Sequence, residues 1–238
     1  MIKKEVNWVF ISGCGHTGTT LLAKILSQSE NIYCNNIENG QFLLYNFFET
    51  DKLITRFEDE ARRYNKVYIL EKTPRHAWHA DFILSKLPKS KHIFTVREPI
   101  ATINSIYKRT GNLDSSIRRY QDDCIQILRN LNNPNTYLIK YEDLTSSPEL
   151  WLKKLCNWLD IQYSSDFLNF YKSDKLWFQA DTAGAHESNR NAQLKNPIYF
   201  TENVWTDEHF SKSLDFNEWY TIVGKKIAEA FGYACKNN

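Results

Sequence analysis

Two groups of residues in this chain have the types and spacing to hold anions. The first is Gly13-Cys14-Gly15-His16-Thr17-Gly18-Thr19-Thr20, which follows the apolar run Trp8–Ser12. Glycines let a backbone curl until successive N–H groups face one concavity, and a helix starting at the end of such a loop adds its positive dipole end. The spacing matches GxxxxGK[ST], except that Thr19 stands in the lysine position. That lysine serves the β- and γ-phosphates of a nucleoside triphosphate beside Mg²⁺. Its replacement disfavours an ordinary ATPase or kinase, while Thr19 and Thr20 still offer hydroxyls to a single phosphate. The plain alternative is a turn that only joins strand to helix. The second group is Arg97 and Ser105. Arg97 closes an apolar run and Pro99 opens a helix, so Ser105, two turns along, returns to the side of the strand end. A guanidinium and a hydroxyl converging there suit a second phosphate. Lys72, in Leu70-Glu71-Lys72-Thr73-Pro74-Arg75-His76, follows another apolar run and emerges at the same edge.

The elements that must position these residues are readable. Four short apolar runs, Val6–Ser12, Lys66–Leu70, Lys91–Val96 and Thr136–Tyr141, alternate with helical patterns over 19–28, 41–64, 76–87, 99–108, 116–131, 148–159 and 216–231. This alternation predicts an α/β fold: one domain over residues 1–238, with a central parallel sheet of four to five strands flanked by helices. Ligands of such sheets bind at the carboxyl ends of the strands, which is where Lys72, Arg97 and the glycine loop fall. Trp151, Leu152, Leu155, Trp158 and Leu159 share one helix face and read as core. Residues 172–214 show no period and read as irregular. Their aromatics, Trp177, Phe178, Tyr199, Phe200 and Trp205, could floor a sugar or aryl pocket, or serve as core or a dimer face.

Composition narrows the class. The 238 residues carry a net charge of +2, without the basic excess of a nucleic-acid-binding domain. With 42% apolar and 24% charged residues the balance is that of an ordinary globular chain. The five cysteines are scattered, without CxxC spacing, as in a reducing compartment. The apolar run Trp8–Ile11 is too short for a signal peptide or a membrane span. The expectation is a cytoplasmic protein with no integral membrane segment, no nucleic-acid partner and no metal.

The GxxxxGTT loop, the Arg-x-Pro-x₅-Ser segment and the later KYEDLTSSPELWLKKLCNWL resemble, in this order, the sulfotransferases that use 3′-phosphoadenosine 5′-phosphosulfate (PAPS). The likeness covers nearly the whole chain and is greatest to the bacterial and the tyrosylprotein and heparan-type branches, which have a P-loop-like fold. The resemblance implies transfer of a sulfuryl group from PAPS to a hydroxyl or amine of a carbohydrate, lipid or other small acceptor. By residue match, Gly15, His16, Thr17, Gly18, Thr19 and Thr20 would hold the 5′-phosphosulfate. Arg97 and Ser105 would hold the 3′-phosphate, and Tyr141 would lie near the nucleotide. Residues 189–195, including Arg190 and Lys195, resemble the late loop that covers the nucleotide.

Sulfuryl transfer needs a base for the acceptor proton, a donor or cation for the leaving oxygen, and a cradle that keeps the reactants in line. The resemblance assigns Lys72 as the cation and Glu38 as the base, with His76 and His79 in reserve. Glu38 reads equally as a carboxylate at a helix N-terminus. His16 departs from the family, which carries Arg or Lys there. As a catalytic donor it would serve the bridge or sulfonate oxygen, with its pKa raised by the bound donor. The competing readings are a P-loop nucleotide kinase with a degenerate lysine and a nucleotide-binding protein without catalysis. The partner implied is a small-molecule or glycan acceptor, with homo-oligomerisation left open.

Overall fold

The computed structural model describes residues 5–35, 38, 47–174, 194–199 and 214–233. Five strands, β1 (Asn7–Gly13), β2 (Ile32–Tyr33), β3 (Tyr68–Lys72), β4 (Lys91–Val96) and β5 (Thr136–Lys140), form one sheet in the order β2-β3-β1-β4-β5. Every pairing is parallel. All five carboxyl ends therefore meet at one edge. The crossovers are α1 (Thr19–Leu26), α2 (Phe47–Arg63), α3 (Ala80–Lys86), α4 (Pro99–Thr110) and α5 (Leu113–Asn130). The chain continues through α6 (Tyr141–Ser146) and α7 (Pro148–Leu159), and ends in α8 (Leu214–Trp219) and α9 (Lys225–Ala230).

Alternation along the strands sets the two layers. Val9 and Ile11 of β1, with Leu70, Ile93 and Ile139, pack against Leu22 and Leu26 of α1 and Leu152, Leu155 and Leu159 of α7. Trp8 and Phe10 face the other side, over Leu53 and Phe57 of α2 and Ile83 of α3. Beside them Phe94 and Val96 meet Ile103 of α4 and Tyr120, Cys124 and Ile127 of α5. Each such fully buried side chain contributes about 1.5–3 kcal/mol, so β1 and β4, covered on both faces, are the rigid base of the edge that matters.

The predicted helices are found with adjusted ends. Asn112 caps α5 by accepting from the Ser115 N–H at 2.9 Å, which starts the helix three residues before the apolar period becomes visible. The helix expected from His76 begins instead as a 3₁₀ segment, Pro74–His79, before α3. Tyr141, expected to end a strand, is the first residue of α6. Ser147, at φ -142° and ψ 61° outside the helical region ahead of Pro148, separates α6 from α7. The two-residue β2 is too short to leave a sequence signal. Residues 41–46 of the expected second helix lie outside the described residues, as does most of 172–214. Among the described residues no helix is long and apolar enough to cross a membrane.

Candidate active site

A cavity of about 930 Å³ opens where the strands end, the size of a site for a nucleotide-scale ligand. Its floor is the turn after β1. Gly18 takes a left-handed backbone, φ +88°, and a Cβ there would lie 2.8 Å from the Tyr141 ring. Glycine is therefore required both for the turn and for the approach of Tyr141. Thr17 is buried, and its hydroxyl meets the Cys14 carbonyl at 2.6 Å and the Thr95 hydroxyl at 2.6 Å. Its side chain thus ties the loop to β4 and leaves only its main chain to a ligand. Gly15, His16, Gly18, Thr19 and Thr20 line the cavity, and Thr17 does not.

The two sequence-derived anion sites meet in this one cavity. Glu98 caps α4 by accepting from the Ala101 N–H at 2.7 Å, and Pro99 starts the helix. Ser105 thereby comes round beside the end of β4, and its Oγ lies 2.9 Å from His16 Nδ1, joining α4 to the glycine loop. The Arg97 guanidinium stacks 4.5 Å above the Tyr141 ring. Tyr141 therefore braces the loop at Gly18 and Arg97 at once, because it is the residue at which β5 turns into α6.

The cavity is strongly basic. Arg75, Arg97, Arg109 and Arg119 line it, and Glu38 is the one carboxylate among the described lining residues. The net charge of +2 conceals this concentration. Arg109 lies one turn beyond Ser105 on α4, a spacing legible in the sequence but not read there. Arg119, on α5, had no local signal at all.

His16 differs from the sequence expectation in this setting. Burial first, and then the charges of Arg119, Arg109 and Arg97, push its pKa down to about 4. The ligand-free site therefore holds a neutral imidazole, and any rise on donor binding starts from there. The His16 ring protons should titrate in NMR near pH 4, not about 6.5. Between those values the unfolded chain binds a proton that the folded chain does not. This group's contribution to stability is therefore present above about pH 6.5 and lost as pH falls toward 4. An ordinary midpoint of about 6.5 or higher in the ligand-free protein would contradict this.

Lys72, the last residue of β3, is fully buried and its Nζ is bonded to Glu38 Oε1. Glu38 is about one third exposed, with 35% of its side-chain surface open, and lines the cavity. The Glu38 carboxylate thus meets a lysine at the sheet edge, while residues 39–46, on which its reading as a helix N-terminal carboxylate depends, lie outside the described residues. Lys72 itself stands behind Glu38 and does not line the cavity.

The reserve bases are corrected. His76 is wholly buried with Nδ1 2.7 Å from Glu71 Oε2, and neither it nor His79 lines the cavity. The alternation of β3 sends Glu71 to the opposite face from Lys72. There Glu71 also accepts from the Thr73 hydroxyl at 2.9 Å and so fixes the segment that presents Arg75. Arg190 lies outside the described residues, as do Trp177, Phe178, Phe200 and Trp205. Lys195 is exposed and does not line the cavity, although Leu194, Asn196, Pro197, Ile198 and Tyr199 do. This stretch is held to α1 by the Lys24 ammonium, which donates to the Leu194 carbonyl at 3.3 Å. Among the described residues no group of three or more His, Cys, Asp or Glu clusters as a metal site would require.

A family model described as "Sulfotransferase family" matches residues 41–165, just over half of the chain. The chain belongs to the sulfotransferase family. The matched stretch of this sulfotransferase includes Lys72, Arg97, Ser105 and Tyr141 and begins after the glycine loop and Glu38. A protein-tyrosine sulfotransferase of Drosophila melanogaster is 22% identical over 202 residues, 70% of this chain and 40% of that protein. A putative protein-tyrosine sulfotransferase of Caenorhabditis briggsae is 25% identical over 205 residues, covering 72% of each chain. The fly relative is thus matched over less than half its length. In fold, the mouse sulfotransferase SULT7A1, solved in complex with PAP, superposes with a TM-score of 0.59 at 16% identity. The superposition covers 95% of this chain and 87% of the mouse chain.

Proposed function

We propose that this protein transfers a sulfuryl group from PAPS to a hydroxyl or amine of a small or glycan acceptor. The observation that carries the reading is the joining of two anion sites on one basic cavity, by the His16–Ser105 contact at 2.9 Å. A donor with phosphates at both the 5′ and 3′ positions needs two such sites, whereas ATP needs one with a metal and the lysine missing here. The residues fit that group. Among the described residues His16 Nε2 is buried without a hydrogen-bond partner, a group suited to meet a ligand atom. Gly18 admits the Tyr141 ring against the loop, and four arginines supply positive potential. The loop from Gly15 to Thr20 would hold the 5′ end, and Arg97 and Ser105 the 3′-phosphate. The stretch 194–199 would cover the nucleotide. PAP in the mouse structure is in keeping with this choice of nucleotide.

PAPS, when bound, supplies the sulfuryl group. Glu38 Oε1 or Oε2 accepts the acceptor proton. Lys72, bonded to Glu38 from behind, orients that carboxylate and adds its positive charge to the edge where negative charge grows on the departing oxygen. Neutral His16 donates from Nε2 when Nδ1 accepts the Ser105 hydroxyl proton. The low charge of a sulfuryl group, compared with a phosphoryl group, leaves no step that requires Mg²⁺. Transfer of label from ³⁵S-PAPS to an acceptor panel should therefore persist in excess EDTA. Activity lost in EDTA and restored by Mg²⁺, with ATP as donor, would favour the kinase reading instead.

A further inference from the structure

Residues 13–20 include no lysine or arginine, so the loop proposed to hold the 5′ end has no permanent cation of its own. One reaches it from elsewhere. Arg119 of α5 lines the cavity, and its Nη2 lies 2.4 Å from where a Cβ on Gly15 would sit. Gly15 is not among the positive-φ glycines Gly13, Gly18, Gly111 and Gly232. Its backbone would accept a side chain, but a Cβ there would push the guanidinium out of its place. Arg119 is itself held from behind. Asp123, one turn along α5, is buried and lies 3.9 Å from Arg119 Nε. Asp123 also accepts from Trp78 Nε1 at 2.6 Å. With 36% of its side chain exposed, Arg119 remains open to the cavity.

We propose that Arg119, oriented by Asp123, supplies the cation of the loop anion site from α5, and that Gly15 is bare in order to admit it. This rests on the anion-binding half of the reading above and extends it to a residue outside every recognised motif. Delivery from a neighbouring helix explains how the loop can dispense with a charged residue at position 16. A charge-assisted contact of this kind is worth about ten- to a hundredfold in affinity.

Calorimetry with two probes, inorganic pyrophosphate and 3′-phosphoadenosine 5′-phosphate (PAP), tests it on the whole chain at low salt. Arg119→Ala should weaken both about ten- to a hundredfold while keeping the preference for PAP over 5′-AMP. His16→Arg in that background should recover most of the loss by returning a charge to the loop. Gly15→Ala keeps the arginine but occupies its place, and covers the case in which Arg119→Ala fails to fold. It should weaken both probes in the wild type and add little to Arg119→Ala, as expected of two changes that break one contact. Wild-type affinity in Arg119→Ala, a loss that His16→Arg does not recover, or a full further loss from Gly15→Ala would each overturn the assignment. Arg119-dependent pyrophosphate binding without PAP binding would keep this assignment and overturn the proposed donor. PAP binding with 3′-phosphate preference but indifferent to Arg119 would do the reverse, and no binding of either probe would remove both.

Discussion

Glu38→Gln is expected to lower turnover by at least about a hundredfold, the scale on which a general base contributes, with PAP affinity nearly unchanged. The amide has the carboxylate's shape, and its oxygen can still accept from Lys72, the partner of Glu38 Oε1. What it cannot do is take a proton at pH 7. Shape, packing and the lysine contact are thus conserved while one chemical capacity is removed. Lys72→Ala should show a loss of similar size for a different reason, the loss of charge stabilisation. It also strands Glu38, but that carboxylate keeps 35% of its side chain in water, so the stability cost should fall below that of breaking a fully buried pair. Measured melting temperatures separate the two effects. Near-normal turnover in Glu38→Gln would move the base elsewhere, and not to His76, which is sealed against Glu71.

Arg97→Ala is expected to abolish most of the discrimination between PAP and 5′-AMP. The guanidinium lies over the Tyr141 ring, 4.5 Å from its centre, which limits the freedom left to lose on binding. A charge-assisted contact from Arg97 plus a hydroxyl from Ser105 is worth about a hundredfold preference for the 3′-phosphate. Arg97→Ala should reduce that to less than about tenfold while leaving 5′-AMP binding close to normal. Ser105→Ala should cost less, about tenfold. A uniform loss for both nucleotides in Arg97→Ala would mean that Arg97 supports the fold of the edge and does not read the 3′ position.

The parallel sheet and the placing of Lys72, Arg97 and the loop at its edge were legible because each strand is a short apolar run ended by a polar residue. Strands covered on both faces leave that mark. Ser105 was legible through helical spacing from Pro99, and Arg109 could have been by the same rule. Arg119 was not, since its place depends on how α5 packs behind β1, and packing across the 103 residues between Gly15 and Arg119 has no local signature. The protonation state of His16 was likewise hidden. It is set by burial and by three arginines, two of them on α4 and α5. Thr17 was placed with the residues holding the 5′-phosphosulfate by residue match, which cannot tell which face of a loop a side chain takes. The contact with Thr95 turns it inward.

The most direct single measurement is calorimetric titration of the wild-type chain with PAP and with 5′-AMP, in EDTA. Two anion sites joined through His16 and Ser105 call for PAP to bind about a hundredfold more tightly. They also call for that difference to shrink as salt is raised, through screening of the cavity's arginines. Equal affinity for the two nucleotides would contradict the two-site reading.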